Sequence, residues 1–184
     1  MTLTDGTYKL GPELGRVLLR TSRSGLGRRA GHDLTIEVTR WSGEAAVDTA
    51  SPANSSLTLD AEIDSLEVRE GTGGIKPLTD GDREEIKKTA RTKILNASQH
   101  PTITFRSTGV NGTPEAFEIT GNLTIMGRAR PVTVKVRAGD DGRLQGGATV
   151  VQSQWGIKPY SAFLGALKLA DEVRVEFDLA APGH

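Results

Sequence analysis

The stretch FEITGNLTIMGRARPVTVKV, residues 117–136, decides how this chain is read. Phe117, Ile119, Leu123 and Ile125 fall on one side of a period-two pattern, with Glu118, Thr120, Asn122 and Thr124 on the other. After MGRARP the alternation resumes, with Val132, Val134 and Val136 set against Thr133 and Lys135. Period two is the repeat of a β-strand, and clean alternation gives one buried and one wet face, the habit of antiparallel sheets. The stretch predicts a hairpin that turns at Gly127. Pro131 starts the return strand, where a missing N–H costs least. Its only asset is an apolar face.

The same repeat extends outward along the chain. Leu34, Ile36 and Val38 alternate with polar residues, as do Leu57, Leu59, Ala61 and Ile63, and Val173, Val175, Phe177 and Leu179. Shorter runs around Val17, Ile103 to Phe105 and Leu144 to Val150 add further strands. NGTPE, MGRARP and GDDG read as hairpin connections, and REGTGGIKP as a flexible crossing. One segment breaks the pattern: in LTDGDREEIKKTARTKILNAS, Ile86, Ala90 and Ile94 are spaced for one narrow helical face. That spacing predicts a helix over one end or the outside, capped by Asp82 with Glu85 and stopped at Asn96. KPYSAFLGALKLAD reads as a second helix or a looped lid.

Composition removes whole classes of function. A formal net charge of zero argues against a dedicated nucleic-acid binder. With no cysteine there is no disulfide framework, thiolate metal site or cysteine nucleophile. The N-terminus has no basic start and no apolar run of signal-peptide length, and nothing approaches a membrane span, so the expected location is the cytoplasm. The chain of 184 residues reads as one domain, 1–184, with no linker or internal repeat.

The expected fold is therefore all-β with one or two short helices, and the pattern alone leaves barrel and sandwich open. The inward set is mainly Val, Leu, Ile and Ala, and aromatics are 4% of the chain. A barrel lined by such small side chains leaves interior volume for a guest, or flattens. A nine-residue strand is about 30 Å long, so a cavity along it would suit a linear lipid.

Three stretches carry a resemblance: SQHPTITFRSTGV, the 117–136 hairpin, and QWGIKPYSAFLGALKLADEVRVEFDL. They resemble the YceI-like family, most specifically at Gly121, Leu123, Thr124, Ile125, Gly127, Arg130, Pro131 and Val132. SSLTLDAEIDSLEV is also similar to the family's strand leading into a turn at Ser65 and Leu66. The chain departs from the family pattern in GRRAGHDLTIEVTRWSGEAAVD and in the helix, where the usual aromatics are missing. The resemblance implies a lipocalin-like antiparallel β-barrel of about eight strands around an elongated apolar pore. It implies binding of polyisoprenoid or other long lipids, isoprenoid quinones among them, with no established catalytic apparatus.

Residues able to carry chemistry are few. His184 is terminal, and His100 precedes Pro101 at a helix-to-strand turn. His32 neighbours Asp33, but adjacent strand residues point to opposite faces, which disfavours an acid–base pair. No metal-ligand spacing and no nucleophile elbow occurs. Arg16, Arg20, Arg23, Arg28 and Arg29 form a basic run that suits a phosphate head or a solvated face balanced by nearby acids, and Arg128 and Arg130 repeat the theme weakly. Trp155, Tyr160 and Phe163 crowd one segment, able to gate a barrel mouth or to pack its end.

The expected function is non-catalytic binding and transport of a long apolar ligand, with no cofactor beyond a bound polyisoprenoid or quinone. Ile103, Phe105, Phe117, Ile119, Leu123, Ile125, Val132, Val134 and Val150 are expected to line the cavity, with Trp155, Phe163 and Leu167 at its mouth. A transient membrane contact and a homodimer stay open. The rivals are an enzyme using His32 or His100 as base, and a ligand-free protein-interaction module.

Overall fold

The hairpin over 117–136 forms as its alternation requires. The structure, a computed structural model, describes residues 3–25, 29, 31–162 and 167–182, with backbone only at 162 and 167. Its strands in chain order are β1 (Gly6–Leu10), β2 (Gly15–Arg20), β3 (Arg23–Ser24), β4 (Asp33–Val38), β5 (Trp41–Val47), β6 (Ser56–Glu62) and β7 (Leu66–Thr72). Helix α1 (Asp80–Thr89) follows, then β8 (Thr102–Thr113), β9 (Ala116–Ile125), β10 (Arg128–Ala138), β11 (Arg143–Val151), β12 (Ser161–Ala162), β13 (Leu167–Leu169) and β14 (Glu172–Ala180). Between β9 and β10 lies a two-residue turn. Met126 and Gly127 both take positive φ, 48° and 73°, the geometry whose twist matches the flanking strands. Ile125 faces Arg128 directly across it.

Among the described residues, eleven strands form one curled, half-barrel antiparallel sheet in the order β1-β5-β6-β8-β9-β10-β11-β14-β2-β4-β7. The small strands β12, β13 and β3 make a second sheet. Two flat sheets packed face to face, the sandwich alternative, do not occur among these residues. The count of eleven differs from the expected eight or so, and the reason is local. The chain turns corners at 11–14, at 39–40 and at 63–65, and the segments on either side pair in matching fashion. Thus β1 pairs with β5 and β2 with β4, while β5 pairs with β6 and β4 with β7. At the inner corner the Thr39 N–H and hydroxyl both donate to the Ser65 carbonyl, at 3.1 and 2.8 Å. The Ser65 hydroxyl, fully buried, donates to the Glu62 carbonyl at 2.8 Å. Buried corner backbone is thereby hydrogen-bonded, as desolvated polar groups require.

Two apolar clusters fill the curl. One holds Phe105, Ile119, Ile125, Val132, Val150 and Trp155 among others; the second centres on Leu34, Ile36, Trp41, Ile63 and Val68. Each fully buried side chain of this size stabilises the fold by about 1.5–3 kcal/mol.

Helix α1 exists where its spacing predicts, with a different cap. Thr79, not Asp82, is the N-cap: its hydroxyl accepts from the Asp82 N–H at 3.1 Å, and the Asp82 carboxylate accepts from the Thr79 N–H at 2.9 Å. A wider π-type turn continues it over Ala90–Ile94, and Asn96, at φ 47°, ends it. Lys87 to Glu67 and Arg91 to Asp64, both 2.6 Å, tie the helix to the β6–β7 arm. Segment 158–171 was read as a second helix or a looped lid, and its described part contains no helix. β12 and β13 instead pair as a hairpin, Ser161 opposite Lys168, and 163–166 lie outside the described residues.

Candidate ligand-binding cavity

The inner face of the sheet does not fill its own curl. A cavity of about 830 Å³ remains, walled by β2, β4, β6, β8, β9, β11 and β14 and covered by α1 and the 75–78 segment. Beyond it lies a smaller apolar cavity of about 270 Å³. Side-chain size explains both: Val, Leu, Ile and Ala are too short to meet across the sheet, and interior packing at normal density would otherwise close the space.

The helix stripe Ile86, Ala90 and Ile94 faces the large cavity. The narrow apolar face read from sequence is thus a roof. Ile75, 79% exposed, and Tyr160, 43% exposed, line the same cavity, which marks where it opens. Among the described residues, the ionisable side chains on the cavity lining are Arg23, His32, Lys76, Asp82 and Glu85, which come from loops, β3 and α1 and not from the eleven-stranded sheet. His32 Nε2 donates to the Lys76 carbonyl at 2.7 Å, holding the crossing loop down over the mouth. Gly74 allows this approach, since a Cβ there would stand 2.5 Å from His32 Nε2. The GTGG run is therefore a close-packed flap segment rather than a loose linker. Asp82 is held below the ordinary carboxylate range by hydrogen bonds from Thr79, with a smaller pull from His32.

Nine residues were expected to line one elongated cavity, and the structure divides them between two. Ile103, Phe105, Leu123, Ile125 and Val150 line the large cavity. Phe117, Ile119, Val132 and Val134 line the small one. The expected mouth residues fare differently. Trp155 is 1% exposed and belongs to the core, not the mouth. β11 pairs with β10 only from Lys135 to Ala138, leaving the first half of β10 without its second neighbour. The 152–155 turn packs into that gap, with Trp155 Nε1 donating to the Leu123 carbonyl at 2.9 Å and Arg130 Nε to the Gln154 carbonyl at 3.1 Å. Pro131 sits in the same unpaired stretch, where its missing N–H leaves no ladder bond open. Phe163 lies outside the described residues, and Leu167 is described only as backbone in β13.

The arginine run is mostly spent on strand neighbours. Arg16 pairs with Glu37 at 3.0 Å, Arg20 with Glu176 at 2.6 Å and Arg23 with Asp33 at 3.1 Å; Arg28 lies outside the described residues and Arg29 is exposed. Asp33 is thereby engaged by Arg23 and does not orient His32. His100 lines neither cavity; its backbone N–H donates to the Asn96 carbonyl at 3.0 Å. Among the described residues no cluster of His, Asp and Glu is arranged to hold a metal ion, and no helix is long and apolar enough to cross a membrane.

The sequence reading overlooked Leu19, Leu34, Ile36, Val173 and Val175, all on the large cavity's wall. Their signal was present, since each sits on the apolar side of its own alternating run. His32, Ile75 and Leu78 had no such signal, because loop residues carry no period.

A curled antiparallel sheet with an apolar hollow, roofed by helix α1, defines a lipocalin-like, half-barrel fold. The YceI-like domain model matches residues 18–181, and the chain belongs to the YceI-like family. Similar curated proteins include UPF0312 proteins of Pseudomonas aeruginosa, 33% identical over 112 residues, 56% of this chain and 59% of theirs. A UPF0312 protein of Azotobacter vinelandii is 30% identical over 104 residues, 56% of this chain and 48% of its own. The match thus spans less than two thirds of these relatives' length. Among solved structures, Burkholderia cenocepacia BcnA superposes with a TM-score of 0.63 at 20% identity, over 89% of this chain and 94% of that one. A polyisoprenoid binding domain from Saccharophagus degradans, implicated in plant cell wall breakdown, gives 0.56 at 13% identity, over 97% and 100%. At such identities these two show the shared fold.

Proposed function

We propose that this chain is a non-catalytic binding and carrier protein for one long apolar ligand, a polyisoprenoid, an isoprenoid quinone or a similar lipid. The observation that carries this reading is the 830 Å³ cavity, to which the eleven-stranded sheet contributes no charged side chain among the described residues. Such a wall offers an alkyl or prenyl chain about 0.8 kcal/mol per buried methylene, so affinity needs few polar contacts. The polar head stays at the mouth, beside Arg23, His32, Lys76 and Asp82. Kinship with a polyisoprenoid binding domain supports the ligand class. Catalysis by His32 is disfavoured because its Nε2 is bonded to a backbone carbonyl and Asp33 is turned to Arg23.

The test is uptake of an added polyprenol or quinone, followed by repurification and lipid extraction. Wild-type protein retains the lipid. Ile125→Trp, which projects an indole into the large cavity from its wall, lowers retention with an unchanged circular-dichroism spectrum. Failure of wild-type protein to retain any prenol or quinone would sink the carrier reading.

A further inference from the structure

The hollow comprises two adjacent cavities. Six residues line both cavities: Val17, Leu59, Phe105, Leu123, Val150 and Val175. Three of them make a single cross-strand rung, Leu59 opposite Phe105 and Phe105 opposite Leu123, across β6, β8 and β9. The other three come from β2, β11 and β14, the far wall of the curl. These six residues mark the boundary between a large chamber beneath the mouth and a small chamber beyond. Phe105 is the only aromatic of the six and is 5% exposed. Its ring lies over Gly121, where a Cβ would come within 2.5 Å of Phe105 Cζ. That glycine gives the ring its place at the boundary.

We propose that Phe105 is the specificity-determining residue of this site, a stop that sets how long an apolar chain the large chamber accepts. The proposal rests on the carrier reading above. A chain entering at Ile75 and Tyr160 runs past Ile103 and Ile125 and meets the ring before it can reach the small chamber. The small chamber's own wall, with Phe117, Ile119, Val132, Val134 and Phe177, is as apolar as the first. In this reading the ring at the boundary is what keeps a chain in the large chamber from reaching it. Removing the ring joins the chambers and lengthens the preferred ligand.

The experiment measures Kd for a homologous series of straight-chain primary alcohols. For wild-type protein, Kd falls about fourfold per added methylene and then levels off once the tip meets Phe105. In Phe105→Ala, and in the milder Phe105→Leu, the levelling point moves to longer alcohols. Val134→Phe projects a ring into the small chamber and not the large one, so it leaves the wild-type profile unchanged but reduces the gain in the Phe105→Ala background. The stop is overturned if Phe105→Ala and Phe105→Leu level off where wild-type protein does. It is equally overturned if Val134→Phe alone shortens the profile, since the chain would then already occupy both chambers. Wild-type protein that binds no alcohol of any length instead refutes the carrier reading, and the stop with it.

Discussion

The Trp155 indole N–H reaches the Leu123 carbonyl where β10 lacks its second neighbour. In sequence this tryptophan stands near Tyr160 and Phe163, and that crowding suggested a gate. What positions it is a pairing gap between β10 and β11, a long-range fact that alternation within a strand cannot reveal. Its ring seals the side wall of the hollow, with Ile157 beside it. Trp155→Ala should cost about 3–5 kcal/mol, the usual range for emptying a buried aromatic site. Trp155→Phe keeps most of the volume and loses one hydrogen bond, about 1 kcal/mol. Urea denaturation of the two variants measures both; a Trp155→Phe variant as stable as wild type would show that the N–H contributes nothing. By contrast, the inward residues of β8 to β11 were legible from sequence, since a period-two repeat with one apolar face assigns each side chain a face before any partner is known.

At the scale of elements, the strands were readable and the joints between them were not. The run Leu57 to Ile63 alternates cleanly, yet Ile63 and Ser65 form a buried corner, and nothing in the alternation announces where a strand bends. The helix was legible from Ile86, Ala90 and Ile94, but its first turn was placed three residues late. A threonine cap followed by an aspartate gives a weaker signal than the acidic DREE run. The cap makes the roof sensitive to acid. Asp82 has a depressed pKa in the folded chain, so its stabilisation of α1 is complete above the ordinary carboxylate value of about 4 and is lost as pH falls through the folded value below it. Amide exchange in α1 should therefore quicken below about pH 4 relative to the β8–β11 core, and Asp82→Asn should remove that difference. An α1 whose protection follows the core at every pH would contradict the role given to this cap. Glu37, between Arg16 and Arg69, and Asp178, beside Arg143, are likewise depressed, by hydrogen bonds to those arginines first, and lose their stabilisation in the same direction.

At the scale of the whole molecule, the sheet is curled tightly enough to enclose space and lined too sparingly to fill it. Low aromatic content pointed to that outcome, because small inward side chains leave volume unless the sheet collapses. The two-chamber shape was not legible. It depends on which rungs of separate strands come level, and that register is set by bulges such as the one between Ser107 and Gly109 in β8. The charged mouth was half visible: the basic run was plain, but Arg16 and Arg20 answer strand-borne acids, and His32, Lys76 and Asp82 meet only in three dimensions. The central claim is that the hollow holds one long apolar chain. Native mass spectrometry of the purified chain after exposure to a polyprenol tests it most directly. The account predicts a single adduct of one lipid per chain that survives desalting and is lost in Ile125→Trp. A spectrum of bare protein, or adducts equally abundant in wild type and Ile125→Trp, would contradict it.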